Sequence, residues 1–168
     1  IVYGPGGVLE NVISLVGYEN LCMMIYEDEQ LVYDIFEFVG STLLEYYNQS
    51  VHYNFVGAAI SNDDWGFNTQ TMLSPEYMRK FVFPWHKKIT EIIHGAGKPA
   101  ILHSCGKYSE IIDDIIYDMK YDGRHSYEDN IIPVETAYDQ LCGKIAILGG
   151  IDLNFLITQP TEAIIKRC

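Results

Sequence analysis

The sequence is poor in positive charge: only 11 of its 168 residues are lysine or arginine, against 23 aspartates and glutamates, so its formal net charge is −12. A chain this acidic has little to attract a phosphate backbone or an anionic lipid surface. It also lacks an apolar run of the roughly 20 residues that cross a bilayer. We therefore expect a small-molecule substrate, and neither a nucleic acid nor a membrane as partner.

Other common signatures are missing as well. The cysteines, Cys22, Cys105, Cys142 and Cys168, lack the close spacing of a disulfide scaffold. No basic segment followed by an apolar one opens the chain, as a secretory signal would. These two absences predict a cytoplasmic location. The chain has neither a GxGxxG nor a GxxxxGK[ST] motif, which argues against a nucleotide-binding α/β fold.

One segment, residues 100–106 with the sequence AILHSCG, runs an apolar strand directly into two metal-binding side chains. Because side chains alternate along a strand, His103 and Cys105 share one face and Ser104 takes the other. An imidazole and a thiolate suit Zn²⁺ better than Mg²⁺ or Ca²⁺, and a catalytic zinc needs three protein ligands. His103 and Cys105 would supply two of them. The alternative is a structural role, because free cysteine often fills a core.

The apolar spacing and the turn residues predict alternating strands and helices. Residues 1–53 should form a loop, one or two short helices within residues 8–21 and a long helix over about 28–50. Residues 54–168 should form four βα units of a single domain. The predicted strands cover residues 54–60, 98–103, 121–125 and 144–148, with helices over about 75–95, 109–119 and 133–143 and another from about 160. Such alternation indicates a parallel sheet, and we predict an α/β fold that forms part of a TIM barrel, with about four strands preceded by helices.

Each predicted strand ends in polar or glycine-rich sequence. In a barrel of this kind the C-terminal ends of the strands carry the chemistry. These ends hold Asp63 and Asp64, His103 and Cys105, His125 and Ser126, and Gly149, Gly150 and Asp152. We therefore expect Asp64, His125 and Asp152 to lie near the candidate metal pair, where they would orient the metal ligands or the substrate. The structural alternative for the aspartates is helix capping.

Four motifs in order resemble the uroporphyrinogen decarboxylase superfamily over roughly residues 20–168. They are DDWG at 63–66 followed by Ser74-Pro75, HSCG at 103–106, DGxHSxED at 122–129 and GGID at 149–152. The resemblance is to the C-terminal part of a family barrel. It implies a TIM-barrel fold and one of two activities, porphyrinogen decarboxylation or methyl transfer linked to cobalamin.

The HxCG motif makes the chain more similar to the methyltransferase branch. In that branch a His-x-Cys pair and a later cysteine bind zinc, which holds an acceptor thiol as thiolate. The resemblance therefore implies that His103 and Cys105 are zinc ligands. It also implies methylcobamide as methyl donor and a corrinoid protein as partner. The later cysteine is expected beyond Cys168, so the resemblance does not supply the third ligand, and Cys168 itself is not assigned to the site.

Two alternatives remain open. The first is a carboxy-lyase of the uroporphyrinogen decarboxylase type, in porphyrin biosynthesis. The aspartate and arginines on which that branch depends lie near the start of its barrel, a part that this chain does not match. The second is an inactive truncated fragment that acts only through oligomerisation, for example a homodimer that completes the barrel, because an open parallel sheet must cover its edge strands.

Overall fold

The computed structural model describes residues 1–167 and shows one sheet of five parallel strands. The strands are β1 (Val2–Tyr3), β2 (Ala59–Asn62), β3 (Ala100–His103), β4 (Gly123–His125) and β5 (Ala146–Ile147), each paired with the next in chain order. The helices are α1 (Val8–Val16), α2 (Tyr18–Glu27), α3 (Glu29–Ser50), α4 (Pro75–Tyr77), α5 (Phe83–Gly95), α6 (Val134–Leu141), α7 (Leu153–Thr158) and α8 (Thr161–Arg167). The predicted α/β fold with parallel strands is confirmed, and the arrangement is consistent with part of a TIM barrel.

The strands differ from the prediction in number and in length. The additional strand, β1, has two residues, too few to show a periodic pattern. β2 begins at Ala59 rather than at residue 54 and continues to Asn62. The preceding residues form turns instead, and the Lys98 ammonium donates hydrogen bonds to the carbonyls of Val51 and Tyr53 there.

Most of the predicted helices are present, with local irregularities. α3 matches the predicted long helix, and its N-terminus is capped by Asp28, whose side chain accepts from the Leu31 N–H. Residues 8–27 form two helices because Gly17 has a φ of +84°, which breaks the helical path. A π-type turn, Met78–Val82, separates α4 from α5. Pro84 explains that turn, since it lacks the N–H that would bond four residues back.

In two further stretches the apolar pattern of the sequence did not predict the observed structure. The stretch predicted over 109–119 contains a π-type turn, Asp114–Asp118, rather than a regular helix. The six-residue helix α7 was not predicted, although Asp152 caps it by accepting from the Asn154 N–H. Such a short element carries too few apolar positions to show a helical period.

The helices α1, α2, α3 and α5 pack together to form much of the core. Phe36 of α3 stacks on Phe81 at 5.5 Å between ring centroids. Gly40 lets Trp85 of α5 approach α3 closely, because a Cβ at Gly40 would lie 2.1 Å from the indole. Among residues 1–167 no single helix is long and apolar enough to cross a membrane, and α1 with α2 meets that test only as a pair bent by 92°.

A buried carboxylate, Asp63, joins this helical layer to the sheet at the end of β2. Its side chain accepts hydrogen bonds from the N–H groups of Leu9 (2.9 Å) and Glu10 (3.0 Å) in the first turn of α1, and it lies 2.9 Å from Nε2 of His86 in α5. Both Asp63 and His86 are fully buried. Negative charge is favourable at a helix N-terminus, so Asp63 fixes where α1 begins relative to β2.

The other nitrogen of His86 extends this network. His86 Nδ1 lies 2.7 Å from the Tyr121 hydroxyl, just before β4, and 3.1 Å from Oγ of Ser61 in β2. The network therefore reaches α1, β2, α5 and the start of β4. Asp64 is the next residue along the chain, so this network also fixes where Asp64 lies.

We expect Asp63→Asn to lower the free energy of unfolding by about 3 kcal/mol, because the amide would turn an N–H toward a buried donor and leave that donor without an acceptor. Urea unfolding followed by the fluorescence of the two tryptophans, Trp65 and Trp85, measures this. The control is Asp139→Asn at an exposed position of α6, for which we expect a change within about 0.5 kcal/mol. Equal losses in the two variants would contradict the structural role of Asp63.

Candidate metal centre

The candidate site lies where β2, β3 and β4 end side by side. The strand register places Asn62 opposite His103, and His103 opposite His125. The residues that follow these three positions therefore leave the sheet at one edge. This lateral register brings residues from three separate strand ends into one place, as expected for parallel strands.

Asp64, His103 and Cys105 converge at this edge, with one potential ligand atom from each lying within 4.8 Å of the others. Nε2 of His103 lies 3.8 Å from Oδ1 of Asp64 and 3.9 Å from Sγ of Cys105. The same Asp64 oxygen accepts a hydrogen bond of 2.8 Å from the Cys105 backbone N–H, which holds the carboxylate beside the thiol. The three side chains are partly exposed, so a ligand can reach them from solvent.

His125 supports His103 from the next strand. The two Nδ1 atoms lie 2.6 Å apart and the rings stack at 4.8 Å between centroids. Burial lowers the pKa of His125, and the neighbouring His103 and Arg124 lower it further, so His125 favours the neutral form that can accept a hydrogen bond. We assign the shared proton to His103 Nδ1. This tautomer leaves the lone pair of His103 Nε2 free toward Asp64 and Cys105.

The Cys105 thiol has two polar neighbours besides His103. Burial raises its pKa and the Asp64 carboxylate raises it further, whereas the Ser126 hydroxyl, 3.5 Å from Sγ, acts in the opposite direction. Without a cation at the site, the structure therefore favours the protonated thiol. A positive ion placed between Asp64 and Cys105 would reverse that preference.

Asp152 lies apart from these three side chains, although it belongs to the same end of the sheet. Its carboxylate caps α7 through Asn154 and also accepts from the Asp129 N–H at 3.2 Å. It lines a cleft of about 570 Å³ together with His125 and Ser126. The structure thus gives Asp152 the capping role that was the alternative interpretation, and a place in the wall of the cleft beside His125.

Several further residues contribute to the site without a clear signal in the sequence. Tyr3 lies with its ring 6.3 Å from that of His103. Glu10 has a pKa raised first by burial and then by Asp63 and Asp64. Both come from the N-terminal segment, for which the sequence predicted only a loop and one or two short helices. Arg124 occupies the variable position of the DGxHSxED motif and gave no separate signal.

The loops after β2 and β3 touch backbone to backbone at Gly66 and Gly106. A Cβ at Gly106 would lie 2.1 Å from the Gly66 carbonyl oxygen, and Gly106 has a φ of +86°. The Gly106 N–H donates to Glu128 Oε1 at 3.0 Å, which joins the loop after β4 to the same cluster. The glycines of the DDWG and HSCG motifs are therefore required by contact between the loops that carry Asp64 and Cys105.

We expect Gly106→Ala to destabilise the protein more than Gly97→Ala. Both glycines have positive φ, but a Cβ at Gly97, whose φ is +70°, meets no atom within 4 Å. Gly97→Ala should cost about 1–2 kcal/mol from backbone strain alone, and Gly106→Ala about 1–3 kcal/mol more from overpacking. Urea unfolding of the two variants tests this. Equal losses in the free energy of unfolding would show that the contact with Gly66 leaves room for a Cβ at position 106.

The family model described as Uroporphyrinogen decarboxylase (URO-D) matches residues 2–168. Comparison with curated proteins and with solved structures gave no significant match. The match therefore covers almost the whole chain, including the N-terminal segment that the sequence motifs had left out.

Proposed function

Because the chain belongs to the uroporphyrinogen decarboxylase family, we propose that it uses the cluster of Asp64, His103 and Cys105 for zinc-dependent methyl transfer from a methylated corrinoid to a thiol. The single observation that supports this most is the convergence of a carboxylate, an imidazole and a thiol. In this proposal Asp64 is the third protein ligand, a more direct role than the orienting one expected from sequence.

The donor set and its spacing fit zinc. Bonds of about 2.0 Å to nitrogen or oxygen and 2.3 Å to sulfur place two ligands of a tetrahedral ion roughly 3.5 Å apart. The observed separations from His103 Nε2, 3.8 Å to Asp64 and 3.9 Å to Cys105, need only small side-chain adjustments to reach that value. Three protein ligands leave the fourth position for a substrate, which is the pattern of a catalytic zinc rather than a structural one.

Zinc bound here would supply Lewis-acid chemistry, lowering the pKa of a coordinated thiol so that its sulfur is a thiolate at neutral pH. The protein's own part is to hold the ligands and to admit the substrate from the partly exposed side of Asp64 and His103. In the proposed reaction the thiol would release its proton to solvent and its sulfur would bond to the methyl carbon, while the corrinoid would keep the electron pair of the methyl bond.

The alternative, decarboxylation of a porphyrinogen, is less well supported. A substrate with several carboxylates needs cationic groups, whereas Asp64, Glu10 and Glu128 surround the described site. Arg124 is the nearby guanidinium, but it is fully buried and bonded to two backbone carbonyls. A neutral or cationic thiol suits these surroundings better.

We also propose two partners for this chain, a corrinoid protein and a second copy of the chain. A corrinoid protein would present the methyl group at the C-terminal edge of the strands, where Asp64 and Cys105 lie. β1 and β5 each pair on one side only within residues 1–167, so a second copy of the chain can pair with either edge. We therefore retain a homodimer as the proposed assembly, and light scattering of the purified chain would test it.

We expect the purified, reduced protein to bind about one zinc per chain, and expect Cys105→Ser and Asp64→Asn each to weaken that binding at least ~10-fold. Titration against a chromophoric chelator measures the affinity. Cys142→Ser, at an exposed thiol of the same chain, is the matched control and should bind like the parent. A folded parent without zinc affinity would remove the metal site and favour the inactive-fragment alternative.

A second experiment separates the two family activities. With zinc bound, the protein should demethylate methylcobalamin in the presence of a small thiol, followed by the change in corrinoid absorbance. The rate should fall by at least ~100-fold in Cys105→Ser, since loss of a ligand removes the activated thiol. Release of carbon dioxide from uroporphyrinogen, without methyl transfer, would instead establish the decarboxylase alternative.

A further inference from the structure

A buried arginine lies directly behind the candidate metal centre. Arg124 is the middle residue of β4, so its side chain points to the opposite face of the sheet from that of His125. It is fully buried. Among residues 1–167 no carboxylate lies within ion-pair distance of its guanidinium, and its Nε has no hydrogen-bond partner. A buried charge without an opposite partner is costly, so the groups in contact with it must supply its stabilisation.

The guanidinium connects the two strand ends that carry the site. It donates 2.9 Å to the Ser104 carbonyl and 2.7 Å to the Ser126 carbonyl. Ser104 lies between His103 and Cys105. The Ser104 N–H still donates to the His125 carbonyl at 2.6 Å, but the next backbone bond, from the Ser126 N–H to the Ser104 carbonyl, is 3.4 Å long. Arg124 therefore bridges β3 and β4 where the strand ladder ends.

Two tyrosines hold the guanidinium in this position. Its carbon lies 3.8 Å from the centroid of the Tyr108 ring and 5.0 Å from that of Tyr127. The two rings are perpendicular to each other, with centroids 5.9 Å apart. Attraction to the ring faces compensates part of the lost hydration and restricts the orientation of the planar group. The guanidinium is thus held rigidly by groups that do not belong to the metal centre.

We propose that Arg124 is a positioning residue, whose bridge between the Ser104 and Ser126 carbonyls sets the distance of Cys105 and His103 from Ser126 and His125. Its fixed positive charge also balances a site whose ligands, Asp64 and Cys105, are anionic when a metal is bound. This inference rests on the proposed metal centre. Groups that hold the ligands from behind commonly change metal affinity when they are replaced.

The test compares Arg124→Met with Arg79→Met, a control at a half-exposed arginine that pairs with Asp114 on the surface. We expect Arg124→Met to lower zinc affinity by ~10-fold to 100-fold. It should also alter the absorption bands of Co²⁺ bound in place of zinc, which report the geometry of the ligands. Arg79→Met should change neither.

A measurement without metal separates this inference from the proposed function. Long-range proton–nitrogen spectra of the imidazoles report the hydrogen bond between His103 and His125. These signals should shift in metal-free Arg124→Met and not in Arg79→Met. A parent that binds no zinc but shows this shift would disprove the metal centre and support the positioning role. Zinc affinity, Co²⁺ bands and imidazole signals all unchanged in folded Arg124→Met would overturn the role of Arg124.

Arg124→Lys decides the matter if Arg124→Met does not fold. Lysine keeps the positive charge, but its single nitrogen lacks the planar fork that bridges two carbonyls. We expect zinc affinity and the imidazole signals of Arg124→Lys to change in the same direction as those of Arg124→Met. Parent-like values in Arg124→Lys would overturn the proposal that the bridge positions the site.

Discussion

The position of the candidate site depends first on one buried carboxylate. Asp63 accepts hydrogen bonds from two N–H groups in the first turn of α1 and faces His86 of α5, and both side chains are fully buried. A carboxylate buried in this way is stable only when its acceptors are used, so the helices must meet β2 in one arrangement. Asp64 extends from the same turn, and its direction follows from that arrangement. The neighbouring residues Asp63 and Asp64 thus have separate roles, the first structural and the second as a candidate metal ligand.

The second constraint is electrostatic. The candidate centre gathers acidic groups at its front, while a cation without a carboxylate partner among the described residues lies behind it, under two tyrosine rings. The field across the strand ends therefore has a fixed direction, which water cannot screen on the buried side. Under the proposed function, such a field would favour a divalent cation at the front and disfavour a substrate with several carboxylates.

The local parts of this organisation were predictable from sequence. The placement of His103 and Cys105 on one face follows from strand alternation, and the parallel order of the strands follows from their alternation with helices. The contribution of Asp64 depends on the lateral register of β2 against β3, which spacing along the chain does not specify. Arg124 gave no signal in the sequence because it occupies the variable position of the DGxHSxED motif. Its burial depends on tyrosines at positions 108 and 127, which only the fold brings together.

The contact between Gly66 and Gly106 has a consequence for how the site forms. Every candidate ligand lies between residues 64 and 105, on two adjacent strands whose following loops touch through their backbones. β2 and β3 pair residues that lie 41 positions apart, from Ala59 to Ala100, whereas β3 and β4 pair residues only 22 apart, from Ile101 to Gly123. A longer loop costs more entropy to close, so the pairing that carries the ligands is less local than the pairing next to it. A metal ion held by Asp64, His103 and Cys105 would therefore act as a cross-link between β2 and β3 and would offset part of that cost.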